Sequence, residues 1–178
     1  ENASRDVNIA FANELSLICE RLNVDVWELI ELANHHPRVK VLQPGPGVGG
    51  HCIPVDPVYL SWKAREYDFY TNFIDLAAEV NGNMPYFVAQ KTTRALAAQG
   101  RALSTSKVLV LGVAFKRDVG DVRNSSALRL MELLAKDGAA ISYHDPYVPT
   151  LQVRCQTLQS VELTPAALAA ADCVLIHT

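Results

Sequence analysis

The most chemically loaded stretch of this chain is a glycine-rich loop that delivers a thiol. Residues 45–56 read GPGVGGHCIPVD, with Cys52 following the glycines and Asp56 four residues later, at the start of a helix. Glycines let backbone N–H groups approach a ligand closely, and a thiol beside such a loop and near a helix N-terminus can be shifted towards its thiolate. That combination suits covalent catalysis. The same spacing also fits a plainer reading, in which Cys52 is a small buried hydrophobe and Asp56 only caps the next helix. Spacing alone leaves both open. His51 adjoins the thiol, but neighbouring side chains diverge and do not share the hydrogen bond that a general base needs. A metal site finds no support, because His51 and Cys52 have no second ligand pair at metal spacing anywhere in the chain.

A second cluster follows a β-branched run, Lys107–Val113. Gly112-Val113-Ala114-Phe115-Lys116 leads through Asp118, Asp121 and Arg123 to Asn124, Ser125 and Ser126 at the next predicted helix start. A strand end with two cations and exposed helix N–H groups suits a phosphate or diphosphate. It is neither a GxGxxG dinucleotide fingerprint nor a P-loop, and by itself it also reads as a solvated charged loop with a serine cap. His144-Asp145-Pro146 falls on the same carboxyl edge of the predicted sheet, where open α/β folds bind ligands, and this tips the reading to nucleotide binding. Among the remaining candidates, His35, His36 and Arg38 lie at a helix end before or after Pro37, where basic residues also collect for dipole reasons. Trp27 and Trp62 read as core, and Cys19, Cys155 and Cys173 as packing residues.

The elements that position these clusters divide the chain. In the first hundred residues the apolar spacing is helical: Val7, Phe11, Leu15, Ile18 and Leu22 make one stripe, and Asp25 with Glu28 caps a second helix carrying Val26, Leu29, Ile30 and Ala33 inward. Asp56-Pro57 predicts a helix with Asp56 as its cap, Thr71 caps another, and Met84-Pro85 opens one more that runs to Gly100. From residue 101 the pattern becomes βα: strands at Lys107–Val113, Ala140–Tyr143 and Cys173–His177, with helices from Ser125 and from Thr164-Pro165. The expected architecture is α then α/β: a helical domain over 1–83, a connecting helix over 84–100, and a Rossmann-like parallel-sheet domain over 101–178, too short in strands to be complete. The first helix starts without a cap, which predicts a piece of a longer protein.

Composition narrows the function classes. The 178 residues are 49% apolar and 20% charged, with a formal net charge of −3, so no long-range field attracts nucleic acid or an anionic membrane. Charges interrupt every apolar stretch before the ~18 residues that a membrane helix needs, and no signal pattern opens the chain. Four dispersed cysteines suit a reducing compartment, and the expected location is cytoplasmic.

At GPGVGGHCIPVD the chain resembles the cysteine loop of the UDP-sugar 6-dehydrogenase family, and within it the UDP-N-acetylglucosamine/UDP-N-acetylmannosamine branch. The opening ENASRDVNIAFANE resembles the family's central helix, VNGNMP the turn before its long connecting helix, and GVAFKRDVGDVRNSSAL with YHDPYVP its UDP-binding domain. The resemblance implies an NAD-dependent, four-electron oxidation of the sugar C6 alcohol to a carboxylate, within nucleotide-sugar metabolism that supplies polysaccharide biosynthesis. It implies Cys52 as the nucleophile that forms a thiohemiacetal and then a thioester, Asp56 as the carboxylate working with water there, and Asn2 as the amide that stabilises the oxyanion. Arg38, Gly47, Gly49 and Gly50 match the substrate cradle and Lys116 a lysine of the UDP-sugar site, while Arg123 joins them from the residue reading as a diphosphate contact. It further implies a homodimer through the helical domain, and NAD held by a domain that would precede residue 1, so that this chain alone is expected to be inactive. A family lysine four residues before Asn2 and an arginine beyond Thr178 have no counterpart here. Two classes stay open: a dehydrogenase fragment, or a non-catalytic UDP-binding or dimerisation module of the same descent. A Cys-His hydrolase stands far behind.

Overall fold

A computed structural model describes residues 1–178, which divide into two compact units, Glu1–Met84 and Pro85–Thr178. Four helices occupy most of the first unit: α1 (Asn2–Leu22), α2 (Val26–Asn34), α3 (Asp56–Arg65) and α4 (Asn72–Ala98), the last running on into the second unit. Helix α1 stops at Asn23, whose left-handed backbone (φ 55°) turns the Asn23 and Val24 amides back onto the carbonyls of Glu20 and Cys19. The cap predicted for α2 is present, with Asp25 Oδ1 accepting from the Trp27 amide at 2.8 Å.

Burial in this unit departs from the apolar periodicity. The buried face of α1 carries Asp6, Ala10, Ala12, Asn13 and Cys19, whereas Phe11, Ile18 and Leu22 of the predicted stripe are exposed. Small side chains let helices approach, and the polar ones are buried because they bond to one another; the large apolar residues are left on the outside. Trp27 and Trp62, expected in the core, are 54% and 60% exposed. Phe73 and Leu76 of α4 are exposed as well, while Ala77 on the same helix is buried.

The turn expected at VNGNMP is not one: residues 80–85 lie inside α4, and no new helix opens at Met84. Pro85 removes one helical hydrogen bond, but the helix continues because Asn81, Met84 and Pro85 are all buried in tertiary contacts there. At the α3–α4 corner the hydroxyls of Ser61 and Thr71 lie 2.6 Å apart, and Ser61 also bonds to Asp75, which receives Arg65 at 3.4 Å.

The second unit is a small α/β layer. After a 3-10 turn at Leu103–Thr105 come β1 (Lys107–Leu111), α5 (Ser126–Lys136), β2 (Ala140–His144), β3 (Thr150–Val153), β4 (Gln156–Gln159), α6 (Pro165–Ala170) and β5 (Cys173–Ile176). The parallel sheet has the order β2-β1-β5, with Val108 opposite Ile141 and Cys173 and Val110 opposite Tyr143 and Leu175. A buried central strand is what the β-branched run predicts. Its Val108 and Val110 share a dry cluster with Ala127, Leu130, Met131 and Leu134 of α5. The antiparallel β3–β4 hairpin was not anticipated; it turns at Arg154 (φ 54°) and leaves Cys155 exposed rather than packed.

Candidate functional site

Three side-chain amides set the path of the segment that carries Cys52. Asn34, at the end of α2, donates to the Val41 carbonyl at 3.0 Å and accepts from the Val41 amide at 2.7 Å, closing the turn on which Arg38 lies exposed. Asn13, wholly buried in α1, accepts from the Gly45 amide at 2.8 Å, at the first residue of the glycine loop. Asn2, at the start of α1, donates to Asp56 Oδ2 at 2.6 Å, just past the loop's end. None of the three pairings follows from local spacing.

Between these anchors the backbone turns sharply. Gly47 and Gly50 have φ of 129° and 93°, a region that L side chains rarely adopt, and Gly50 is buried. The Cys52 carbonyl accepts from the amides of Val55 at 3.2 Å and Asp56 at 2.8 Å, so Cys52 sits one turn before α3. Its thiol is exposed and unoxidised, and His51 beside it is exposed too. The packing alternative for Cys52 therefore fails on burial. Asp56 is also not the cap predicted from Asp56-Pro57: Val55 holds that position, Asp56 is the first helical residue, and its carboxylate faces Asn2. An exposed cysteine thus lies one turn before a carboxylate that an amide from the start of α1 holds. That set can supply a nucleophile, a proton acceptor and a hydrogen-bond donor.

The second cluster surrounds the carboxyl edge of β1. Buried Asp145 organises it: Oδ2 accepts from the amides of Val113 at 2.9 Å and Ala114 at 3.3 Å, and Oδ1 from Tyr147 at 2.9 Å. Lys116 is exposed, with Nζ 5.5 Å from the Phe115 ring centre. Arg123 forks onto Asp121, with Nε at 3.0 Å from Oδ1 and a terminal nitrogen at 2.7 Å from Oδ2. Ser125 caps α5 through the Ala127 amide at 3.3 Å. One group escaped the sequence reading. His177 Nε2 lies 2.9 Å from Ser126 Oγ and Nδ1 lies 2.8 Å from Thr178 Oγ1, which donates its own proton to the Ala114 carbonyl. The Thr178 hydroxyl must therefore accept from Nδ1–H, leaving Nε2 to accept from Ser126. Burial pushes the His177 pKa down to about 4, in keeping with this neutral imidazole. Only the cation-containing loop could have drawn attention to that spot, since His177 lies 51 residues from Ser126.

No group of three or more His, Cys, Asp or Glu side chains is placed to hold a metal ion, and no helix is long and apolar enough to cross a membrane.

The sequence matches two family models: residues 1–83 match the central domain, and residues 109–178 the UDP-binding domain, of the UDP-glucose/GDP-mannose dehydrogenase family. Among relatives, the UDP-N-acetyl-D-mannosamine dehydrogenase of Campylobacter jejuni is 43% identical over 99% of this chain and 42% of its own length. An NDP-N-acetyl-D-galactosaminuronic acid dehydrogenase of Ralstonia nicotianae is 42% identical over 99% of this chain and 40% of its own length. Among solved structures, a UDP-D-ManNAc dehydrogenase of Pyrococcus horikoshii superposes with a TM-score of 0.88 at 38% identity, over 100% of this chain and 40% of that one. The chain therefore spans about two fifths of the length of these relatives. Matched along both units, with the helical part first and the small parallel sheet after it, this chain belongs to the UDP-glucose/GDP-mannose dehydrogenase family.

Proposed function

We propose that this chain is the nucleophile-bearing and UDP-binding part of an NAD-dependent UDP-N-acetylhexosamine 6-dehydrogenase, which oxidises the sugar C6 alcohol to a carboxylate. The observation that carries this reading is the Asn2–Asp56 hydrogen bond, 2.6 Å long across 54 residues of sequence, beside the exposed thiol of Cys52. In this reading residues 1–83 are the catalytic and dimerisation domain, 84–100 the connection, formed by the second half of α4, and 101–178 the UDP-binding domain.

The residues present do not form a dinucleotide site. β1 is followed by a single glycine, Gly112, where a dinucleotide fingerprint has three, so the hydride acceptor is not assigned to this chain and no step is routed through it. What the chain's own groups do follows from their chemistry. Cys52 Sγ adds to the C6 carbon of the aldehyde, forming a C–S bond while the carbonyl oxygen gains the electron pair. Asn2, which has a second amide hydrogen besides the one given to Asp56, donates to that oxygen. A thioester would follow only once an acceptor bound outside these residues had taken the C6 hydride of that adduct; water would then attack the same carbon, Asp56 would take the water's proton, and the C–S bond would break to return the thiolate. Arg38, Gly47, Gly49 and Gly50 cradle the sugar from the loop side. Lys116 meets the diphosphate, and Arg123 adds positive charge there while forked onto Asp121.

The exposed aromatic and aliphatic residues of α1, α3 and α4, among them Phe11, Trp62 and Phe73, support a homodimer through the helical unit. The names of the relatives favour a 2-acetamido sugar as substrate. The test is Cys52→Ala in a protein that carries this chain together with a dinucleotide-binding domain. Uronate formation should fall by about 10³-fold or more, while UDP-sugar affinity stays within about threefold, because the thiol acts only after binding. Turnover near the wild-type rate would reject Cys52 as the nucleophile.

A further inference from the structure

Asn2, Asp6 and Asn13 fall within about 40° of one another around α1, since a helix advances about 100° per residue. Each bears a short polar side chain, and the latter two are 3% and 0% exposed. Asn13 Nδ2 donates to Asn81 Oδ1 at 2.8 Å, and Asn81 Nδ2 donates to Asp6 Oδ1 at 2.7 Å and to the Asp6 carbonyl at 3.1 Å. Asn81 is itself 4% exposed. The acceptor left on Asn13 takes the Gly45 amide at 2.8 Å. The result is a directed chain of hydrogen bonds, Gly45 to Asn13 to Asn81 to Asp6, with every donor aimed towards the carboxylate. At the other end of the same loop Asn2 holds Asp56.

We infer that Asn13 is a positioning residue for the reaction proposed above: backed by Asn81 and Asp6, it fixes the entry of the Gly45–Asp56 loop to the same face of α1 whose Asn2 holds the loop's exit, and so sets where Cys52 meets the substrate. The inference rests on the dehydrogenase reading for its effect on turnover, but not for the pin itself. A plain packing role is disfavoured by economy of chemistry, since a buried polar trio stands where apolar residues of similar volume would pack without any demand for partners. Rigid support of a catalytic loop from a helix also answers the need to hold reacting atoms within fractions of an ångström.

The direction of the chain gives a test that separates positioning from bulk stability. Asp6→Asn keeps an acceptor for Asn81 and should behave like the wild type. Asn13→Asp keeps the acceptor for Gly45 but sets a carboxylate against Asn81 Oδ1 and removes the donor. The swap Asp6→Asn/Asn13→Asp restores the side-chain pairings along the chain once the Asn81 amide turns over, because a donor then stands at position 6 and a second acceptor at position 13; only the 3.1 Å bond to the backbone carbonyl of residue 6 is given up. Two readouts are taken on each variant: amide hydrogen exchange of the segment around Gly45 in this chain, and kcat and KM in the longer protein used for Cys52→Ala.

Asn13→Asp should raise exchange at Gly45 and lower kcat by roughly tenfold or more with KM within about threefold, and the swap should return both to within about threefold of wild type. If Asn13→Asp does not fold, the swap against Asp6→Asn alone still reads out the pairing. Asn13→Asp with exchange and kcat within threefold of wild type, or a swap that is no better than Asn13→Asp, overturns the inference. Exchange needs no turnover, so a longer protein that oxidises no UDP-sugar at all would sink the dehydrogenase reading and leave the pin testable.

Discussion

The two units of this chain are held together by different physics. In the second unit the sheet and α5 close over a dry cluster in which Val108, Val110, Leu130, Met131 and Leu134 are at most 1% exposed. In the first, the buried apolar residues are mostly small, Ala10, Ala12, Cys19 and Ala77, and a buried polar chain joins α1, α4 and the glycine loop. Its large apolar side chains face outward instead. The helical unit thus hides polar groups and shows aromatic ones, whereas the sheet unit gathers its large apolar side chains into one buried cluster. The polar chain fixes the first residue of the glycine loop to α1, and the apolar cluster packs α5 against the sheet.

Removing core volume should affect only one of the two units strongly. Leu134→Ala should cost about 2–5 kcal/mol, since a fully buried leucine leaves a cavity, and thermal unfolding reads this directly. Trp62→Ala, at a site 60% exposed, should cost less than about 1 kcal/mol in the monomer. Similar losses for both would erase the contrast.

His177 sharpens the comparison through pH. Its folded pKa is depressed to about 4 from 6.5, so its contribution is fully present above pH 6.5 and is lost as pH falls through 4, because only the unfolded chain takes up the proton readily. The expected loss is on the order of 1–3 kcal/mol. His177→Gln should flatten the stability profile between pH 6.5 and 4, and an unchanged profile would count against the neutral, half-buried imidazole.

Self-association should belong to the first unit. Sedimentation at micromolar concentration should show this chain as a dimer, and Trp62→Glu should weaken the dimer by roughly tenfold or more, since a charge enters an apolar contact. A chain that is monomeric throughout would mean that the outward aromatics are covered by something other than a second copy.

The smallest effects concern two carboxylates of the helical unit whose pH responses have opposite signs. Burial raises the Asp6 pKa, against the pull of its Asn81 hydrogen bond, so its contribution to stability is greatest below the unfolded value of 3.8 and is lost as pH rises through the folded value. The Ser61 hydrogen bond leads the lowering at Asp75, with Arg65 and Thr71 adding to it. The Asp75 contribution is therefore present above pH 3.8 and is lost as pH falls through the folded value. Asp6→Asn and Asp75→Asn should tilt the acid limb of the unfolding curve in opposite directions, and parallel tilts would contradict these environments.

Much of the candidate site was legible before folding, for reasons that are local. A glycine loop followed by Cys52 and Asp56 at i and i+4 is readable because the backbone itself brings such residues together, as the 2.8 Å bond from the Asp56 amide to the Cys52 carbonyl attests. The same holds for the Asp25 and Thr164 caps and for β1, whose β-branched run reflects burial on both faces. The sequence by itself therefore determined most of the elements, though neither the β3–β4 hairpin nor the continuity of α4, and the Cys52–Asp56 spacing, since these depend on contacts within a few residues. It did not determine which face of α1 is buried, because an apolar stripe says only that something will cover it. Nor did it reveal the pairing of Asn2 with Asp56, of Asn13 with Gly45 and Asn81, or of Ser126 with His177. Those polar contacts span 32 to 68 residues and carry no periodic signal. Only the packing of whole helices and strands, which removes water and obliges each buried polar group to find a partner, selects them.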